Sequence, residues 1–333
     1  MLIASCSRKN RQKEGAYYMK KVIVTLLSLV FLVTGCALST PDFTTENDVI
    51  ESKVIEDKSV VEDMVENVEV IDSEGEESDD EITEEEMYID IEEQVLLEES
   101  GIKITAKSLE YGTSSIDLKI LIENNSETNA TVQVDYSAIN NIMMDPMISA
   151  DIAAGKKVND TISFSVSDFE SYGIEAISYI EISFRCFNSD SWDDIFTSDL
   201  IELKTNAYGL YEQTYYTDGA LMVDNKGIKV VAKGIDEDWL GPVLKLYIEN
   251  NTDSVIIVQS RDLSINGFMM NPIFSCEILP GKRAYDEISF VTSDLEENMI
   301  KSIDEIEMKL HIFDEESWNS ILDTDIINLK FNL

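Results

Sequence analysis

The segment Ile116-Asp117-Leu118-Lys119-Ile120, which leads into the turn signal Glu123-Asn124-Asn125-Ser126, decides the fold of this chain. Apolar and polar residues alternate along it, so a strand formed here buries one face and wets the other, as strands of antiparallel sheets do. The same alternation returns at 102–107, 132–136, 162–166, 180–184 and 201–203, and a second turn signal stands at 154–156. The pattern therefore predicts several short antiparallel strands separated by tight turns.

This pattern occurs twice at a constant offset. Gly101-Ile102-Lys103 recurs as Gly227-Ile228-Lys229, 126 residues later, and 101–204 aligns with 227–330 without a gap. Other matched pairs are Ile122-Glu123-Asn124-Asn125 with Ile248-Glu249-Asn250-Asn251, Met143-Met144-Asp145-Pro146 with Met269-Met270-Asn271-Pro272, Gly155-Lys156 with Gly281-Lys282, and Ser191-Trp192 with Ser317-Trp318. About 40 of 104 positions are identical, and a period this long indicates a duplicated domain rather than a solenoid unit.

The sequence pattern predicts that each copy is an all-β domain. About seven short strands in about 100 residues predict an immunoglobulin-like β-sandwich. Ser167-Asp168-Phe169-Glu170 and its counterpart Ser293-Asp294-Leu295-Glu296 combine a capping residue with acidic first-turn residues, which predicts one short helix in each copy. We therefore expect two tandem immunoglobulin-like sandwiches, each with one short helix, after a disordered acidic linker.

The N-terminal region has the order of a secretory leader. Lys20 and Lys21 precede an apolar run at 22–33, which has signal-peptide length and is too short to span a bilayer. The run ends in Val33-Thr34-Gly35-Cys36, which resembles the lipobox of bacterial lipoproteins. The resemblance implies that Cys36 carries a diacyl (palmitate-type) lipid and becomes the first residue after cleavage. It also implies anchoring to the extracytoplasmic face of the cell membrane. Residues 1–18 fit no part of a signal peptide, so we expect Met19 to be the true start.

These patterns predict five segments: a signal peptide at 1–35, a lipidated cysteine with an acidic disordered stalk at 36–99, a first sandwich at 100–205, a linker at 206–226, and a second sandwich at 227–333. In the stalk, about 25 acidic residues stand against Lys53 and Lys58. Such a composition cannot repay the chain entropy of folding, and self-repulsion extends it. An alternative for 49–70 is a short amphipathic helix, since its valines fall near helical spacing.

Composition narrows the function classes. The 66 Asp and Glu against 25 Lys and Arg give a net charge of −41, which repels phosphate backbones and argues against a nucleic-acid partner. The only histidine is His311, and Cys6, Cys36, Cys186 and Cys276 form no CxxC, so the usual zinc sets and His-activated nucleophiles are missing. No phosphate loop or nucleophile elbow occurs. We therefore expect no enzyme and no catalytic residues.

The loops around the repeated tryptophan carry the weak metal candidates Asp193, Asp194, Asp199, Asp323 and Asp325. Oxygen-rich loops can bind Ca²⁺, but the EF-hand spacing is absent, and a solvated acidic surface is the alternative. No other cofactor is expected. Trp192 and Trp318 are predicted to be core anchors rather than platforms for sugars. The repeated Met-Met pairs are predicted to be core filler rather than soft-metal ligands.

The linker contains Tyr208, Tyr211, Tyr215 and Tyr216, which predict either packing that sets the angle between the copies or a binding surface. The repeated motifs resemble immunoglobulin-like modules in secreted and lipoprotein chains of Firmicutes, which implies a sandwich at the cell surface and no particular activity. We expect a non-enzymatic surface lipoprotein whose two modules bind or present to an extracellular protein, glycan or envelope component. The alternative is a structural spacer or envelope-assembly accessory without a specific ligand.

Overall fold

The computed structural model describes residues 88–146, 148–272 and 274–331. The predicted signal peptide, the lipobox residues Val33, Thr34, Gly35 and Cys36, and the stalk as far as residue 87 lie outside these ranges.

Copy 1, within the described residues, contains ten strands and one helix. They are β1 (Gln94–Glu99), β2 (Ile102–Tyr111), β3 (Ser115–Asn124), β4 (Ala130–Ile139), β5 (Ile142–Met144), β6 (Ser149–Ile152), β7 (Lys157–Ser165), α1 (Val166–Tyr172), β8 (Tyr179–Asn188), β9 (Asp194–Thr197) and β10 (Ile201–Lys204).

Copy 2 repeats the same order of elements. They are β11 (Ala220–Asn225), β12 (Ile228–Asp238), β13 (Gly241–Asn250), β14 (Ile256–Ile265), β15 (Phe268–Met269), β16 (Ser275–Ile278), β17 (Arg283–Ser289), α2 (Thr292–Glu297), β18 (Glu305–Asp314), β19 (Ser320–Asp323) and β20 (Ile327–Lys330).

Each copy is a sandwich of two sheets. In copy 1, β1, β2, β3 and β7 form one sheet, and β10, β8 and β4 form the other, with β5 and β6 beside β4 and β9 beside β8. In copy 2, β11, β12, β13 and β17 form one sheet. The other contains β15, β14, β18 and β19, with β16 beside β14 and β20 beside β18. The prediction of two tandem immunoglobulin-like sandwiches in an all-β chain is confirmed.

The alternation in the sequence becomes the core. In β3 the apolar positions Ile116, Leu118, Ile120 and Ile122 are all buried, and the residues between them are partly exposed. A separate cluster of buried apolar side chains fills each sandwich. Because each fully buried aliphatic side chain contributes about 1.5–3 kcal/mol, these alternating strands supply most of the stabilisation.

The repeated Asn-Asn turn is a buried polar anchor. The Asn124 side chain is fully buried, and its Nδ2 donates to the carbonyl oxygens of Thr128 and Ile152, each at 2.8 Å. Its Oδ1 accepts from the backbone N–H of Ser126 at 3.0 Å. Asn250 makes the equivalent bonds in copy 2, so one amide ties the end of β3 or β13 to the facing sheet.

Three details differ from the predictions. The structure has ten strands per copy rather than about seven, because short strands pair at the sheet margins. β1 and β11 lie within the predicted stalk and linker, yet each forms an edge strand of its sandwich, pairing with β2 or β12. The predicted short helices are present, but the N-cap residue is Ser165 in α1 and Val291 in α2, and neither side chain caps its helix.

One sheet crosses from copy 1 into copy 2. β5 lies parallel to β17 and pairs Ile142 with Arg283, which joins the second sheet of copy 1 to the first sheet of copy 2 as ten strands. Side chains cross in both directions, since Met143 packs against the core of copy 2 and Tyr285 against that of copy 1. The two sandwiches therefore share a bonded junction rather than a loose linker.

In the described part of the chain, every helix is too short or too polar to serve as a membrane span.

Candidate ligand-binding surface

The repeated Ser-Trp motif forms the tip of a hairpin in each copy. Trp192 lies between β8 and β9, and Trp318 between β18 and β19. The backbone N–H of Trp192 donates to the Asn188 carbonyl at 2.8 Å, and that of Trp318 to the Asp314 carbonyl at 2.9 Å. Both tryptophans adopt the left-handed conformation, with φ of 66° and 59°. Because this region is costly for a bulky residue, its presence in both copies marks a specific turn.

The prediction that these tryptophans are core anchors is wrong. The side chains of Trp192 and Trp318 are 74 % and 73 % exposed. Each ring lies on a buried phenylalanine beneath it. The ring centroids of Phe187 and Trp192 are 5.4 Å apart, and those of Phe313 and Trp318 are 5.6 Å apart. The left-handed turn holds the indole outside, so one face covers the phenylalanine and the other faces solvent.

A third group extends each stack. The Arg185 guanidinium lies 5.6 Å from the Phe187 ring centroid, and its Nη2 is 2.6 Å from Asp194 Oδ1. In copy 2 the His311 ring stacks on Phe313 at 5.1 Å. We call Arg185, Phe187 and Trp192 the copy-1 platform, and His311, Phe313 and Trp318 the copy-2 platform.

Hydrogen bonds hold the acidic rim of the copy-2 platform. His311 Nδ1 lies 2.5 Å from Asp323 Oδ1, and Ser320 donates to Asp323 Oδ2 at 2.6 Å. The hydrogen bond from the Ser320 hydroxyl lowers the pKa of Asp323 most, and the hydrogen bond with His311 lowers it further. The Ser317 hydroxyl and N–H lower the pKa of Asp314 in the same way. The rim is therefore negatively charged at neutral pH around an apolar indole face.

The calcium candidates do not converge on one point. Asp194 is paired with Arg185, Asp193 accepts from the Ser191 hydroxyl at 2.7 Å, and Asp323 is held by His311 and Ser320. Asp199 and Asp325 are exposed on the loops before β10 and β20. Across the described ranges, no group of three acidic, histidine or cysteine side chains is placed to hold a metal ion.

The linker tyrosines pack at the junction. Tyr215 donates to the Asn140 carbonyl at 2.9 Å, and the Arg283 guanidinium lies 4.0 Å from its ring centroid. The backbone N–H of Tyr216 donates to the Tyr285 hydroxyl, whose ring stacks on Tyr172 at 4.9 Å. Of the two interpretations of this cluster, packing between the copies therefore describes Tyr215, whereas Tyr216 contributes its backbone N–H and is 48 % exposed.

A charged pair completes the junction. Lys282 Nζ lies 2.5 Å from Glu181 Oε2 and donates to Asn141 Oδ1 at 2.9 Å. The two charged side chains are 9 % and 15 % exposed. Tyr136 of copy 1 donates to Glu277 of copy 2. Sequence reasoning missed this pair, because Gly281-Lys282 was interpreted only as a turn.

The described cysteines are buried free thiols. Burial raises the pKa of the Cys186 thiol to about 11 and that of Cys276 well above its ordinary value. Because the thiolate is the reactive form, these groups are inert at neutral pH. They behave as small apolar side chains in the two cores.

The repeated methionines divide between buried and exposed positions. Met144 and Met270 are buried, as core filler is expected to be. Met143 is half-buried across the junction, whereas Met269 is largely exposed. The prediction of core filler therefore fails for Met269, because its strand lies at a free sheet edge.

Comparison with known proteins adds little. No protein-family model and no curated protein matches the chain. Among solved structures, a transglutaminase from red sea bream is 10 % identical with a TM-score of 0.18, covering 66 % of this chain and 29 % of its own. A chaperone–tip adhesion subunit complex of Csu pili from Acinetobacter baumannii is 13 % identical with a TM-score of 0.19, covering 64 % of this chain and 90 % of its own. This chain thus spans less than a third of the transglutaminase.

Proposed function

We propose that this chain is a non-enzymatic cell-surface lipoprotein that binds an extracellular protein, glycan or envelope component through its copy-1 and copy-2 platforms. The observation that carries the proposal is the exposure of Trp192 and Trp318 at equivalent positions of both copies. Aromatic side chains held rigid on a surface favour binding, because they bring large contact area at a small cost in side-chain entropy. A lone exposed tryptophan would be unremarkable, whereas the same stacked arrangement occurs twice.

The surroundings of the indole narrow the kind of ligand. An exposed indole face packs against the apolar C–H face of a sugar ring or against apolar side chains. Hydrogen-bonded carboxylates such as Asp314 and Asp323 accept hydrogen bonds from hydroxyl or amide groups. The strong negative charge disfavours anionic ligands. A neutral or cationic glycan or protein surface fits this combination.

The two platforms on one chain should raise the affinity for a repeating ligand. Two weak sites on one chain gain avidity when the ligand repeats, because the second contact is intramolecular. Removing one platform should therefore cost far more affinity for a polymeric ligand than for its monomeric unit. The junction between the sandwiches supports this, since it limits how far the two platforms move apart.

The test is a binding assay on isolated cell-envelope polysaccharide, on a glycan array and on extracellular matrix proteins. We expect Trp192→Ala and Trp318→Ala each to weaken binding about tenfold or more, the order of one aromatic hot spot, and the double variant to abolish it. Trp239→Ala is the matched control, because Trp239 is 85 % exposed in the β12–β13 hairpin but has no counterpart tryptophan in copy 1. Equal loss in the Trp239 variant, or binding unchanged in the double variant, contradicts the proposal.

The proposed lipid anchor at Cys36 is tested in a separate experiment. We expect the full chain to incorporate labelled palmitate in a bacterial host and to fractionate with the membrane. Cys36→Ser should lose both properties, and Cys6→Ser should lose neither. Incorporation that survives in the Cys36 variant would contradict the lipobox assignment.

The second candidate function is a structural spacer. The ten-stranded sheet that crosses the junction favours it, because a bonded sheet and a buried ion pair hold two sandwiches more stiffly than a flexible linker. In that case both platform variants would leave every envelope and matrix interaction unchanged. Insertion of a flexible linker at the junction would then impair the role of the chain as a spacer in the cell envelope.

A further inference from the structure

The junction between the copies is asymmetric. Copy 1 contributes the outer edge of β5, with Ile142, and the carboxylate of Glu181. Copy 2 contributes the outer edge of β17, with Arg283, and the ammonium group of Lys282. Because the copies are duplicates, each carries a version of both faces. Copy 2 therefore has a second β5-type face, and copy 1 a second β17-type face, that the junction does not use.

The unused face on copy 2 keeps the geometry of its counterpart. The β4–β5 hairpin turns through Asn140 and Asn141 with φ of 51° and 64°, and the β14–β15 hairpin turns through Asn266 and Gly267 with φ of 50° and 83°. Two successive left-handed residues define the same tight hairpin in both copies. β15 therefore presents its outer edge as β5 does.

This face is also apolar and uncovered. Phe268 and Met269 correspond to Ile142 and Met143, which are buried or half-buried in the junction. At the free face, Phe268 is 45 % exposed and Met269 is 63 % exposed. β15 ends its sheet on this side among the described strands. An open edge with exposed apolar side chains is a template for pairing with another strand.

The unused face on copy 1 is the outer edge of β7. Lys157 corresponds to Arg283, and within the described ranges β7 ends the sheet β1-β2-β3-β7. Lys156 corresponds to Lys282 and is exposed, while Glu307 corresponds to Glu181 on the opposite face. Among the described residues, neither Lys156 nor Glu307 is in an ion pair, although Glu307 accepts hydrogen bonds from Ser264 and Asn328, so the two charges that meet in the junction recur on the two outer faces.

We propose that these faces bind each other between chains, so that copy 2 of one molecule docks on copy 1 of a second copy of this chain. β15 would add to the edge of β7, with Phe268 opposite Lys157 and Glu307 beside Lys156. A contact between two different faces generates a ring or an open series of molecules. This inference goes beyond the proposed ligand binding and does not depend on it.

The contact between chains is weaker than the junction. The hydrogen-bonded pair Tyr136 and Glu277 is replaced at the equivalent positions by two carboxylates, Asp262 and Asp151, which cannot form the same hydrogen bond. Association is therefore reversible and favoured by a high local concentration, as anchoring to one membrane would provide.

Disulfide trapping in the full chain, expressed in a bacterial host, tests the register. A chain carrying both Phe268→Cys and Lys157→Cys should form a ladder of covalent oligomers after mild oxidation, because paired strands bring their Cβ atoms within reach of a disulfide. A mixture of the two single variants should stop at dimers. The parent chain, which keeps its four native cysteines, should form no ladder. Ile142→Cys with Arg283→Cys is the matched control and should close within one molecule.

Charge reversal supplies the second measurement. In the trapping background, Glu307→Lys should lower the ladder yield about two- to fivefold or more, the effect of losing an exposed ion pair, and Lys156→Glu in the same chain should restore it. Restoration shows that the single variant folds. Absence of a ladder while the Ile142 and Arg283 control closes would overturn the proposal. A ladder indifferent to both charge reversals would also overturn it, since random collision would then account for the trapping.

Discussion

Replacement of Lys282 by methionine should weaken the whole molecule through its junction. Methionine keeps the length and apolar stem of lysine but removes the ammonium group. Glu181 then loses its charged donor, and Asn141 Oδ1 loses a hydrogen bond. Lys156→Met is the matched control, because Lys156 occupies the same position in copy 1 and is exposed.

The size of the effect follows from burial. Removing one partner of a buried ion pair costs about 3–5 kcal/mol, since the remaining charge stays desolvated and unpaired. Glu181 keeps 15 % of its side chain exposed, so we take the lower end, about 3 kcal/mol. For a chain of this size, 1 kcal/mol corresponds to about 2–4 °C, so the transition that disrupts the junction should fall by about 6–12 °C. Replacing both partners, as Lys282→Met with Glu181→Leu, should restore stability to within about 1 kcal/mol.

The assay is urea and thermal unfolding of the full chain followed by tryptophan fluorescence and circular dichroism. Lys282→Met should shift the transition and separate the unfolding of the two copies, whereas Lys156→Met should change it by less than about 0.5 kcal/mol. Equal effects of the two lysine variants would refute the reasoning. So would a double variant no more stable than Lys282→Met alone.

Three further predictions concern a buried amide, a buried carboxyl group and the acidic loops. Asn124→Ala should cost about 2–3 kcal/mol in urea unfolding, because it removes a fully buried amide that donates to the carbonyls of Thr128 and Ile152, and leaves the buried Ile152 carbonyl without that donor. The exposed Asn125→Ala should cost almost nothing, and similar costs would contradict this prediction. Burial raises the pKa of Asp286 above that of the unfolded chain, so its ionisation opposes folding increasingly as pH rises past about 4. Asp286→Asn should therefore melt above the parent at pH 7, with a gain that shrinks toward pH 4, and a pH-independent gain would show that the carboxyl is not responsible. Millimolar Ca²⁺ should leave the melting temperature equal to that in EDTA, and a rise abolished by Asp193→Asn or Asp194→Asn would instead establish a calcium site.

Much of the fold was predictable because its determinants are local. The alternation at 116–122 places one face of β3 in the core, and a shift of one residue would turn Ile116, Leu118, Ile120 and Ile122 to the outer face. The constant offset of 126 residues requires both copies to fold alike, and the structure extends it to β1 and β11. Those two strands escaped prediction because β1 begins within an acidic segment, where composition favours disorder.

The exposure of the two platform tryptophans depends on backbone geometry that cannot be predicted from composition. A tryptophan followed by Ile195 or Ile321 looks like a core residue in sequence. Its exposure is set by the left-handed turn at Trp192 and Trp318, which places each ring over the outside of a phenylalanine. Only the spacing from Phe187 to Trp192, repeated from Phe313 to Trp318, could have suggested the stack.

The β-sandwich class, the duplication and the placement of the turns could be predicted from residue order alone, since they depend on residue period and on neighbouring residues. Tertiary structure alone decided the junction. Lys282 and Glu181 are 101 positions apart, and the Ile142–Arg283 bridge joins strands of different copies. Which edge strand pairs with which depends on how two finished sandwiches meet, and no local pattern in either strand records it.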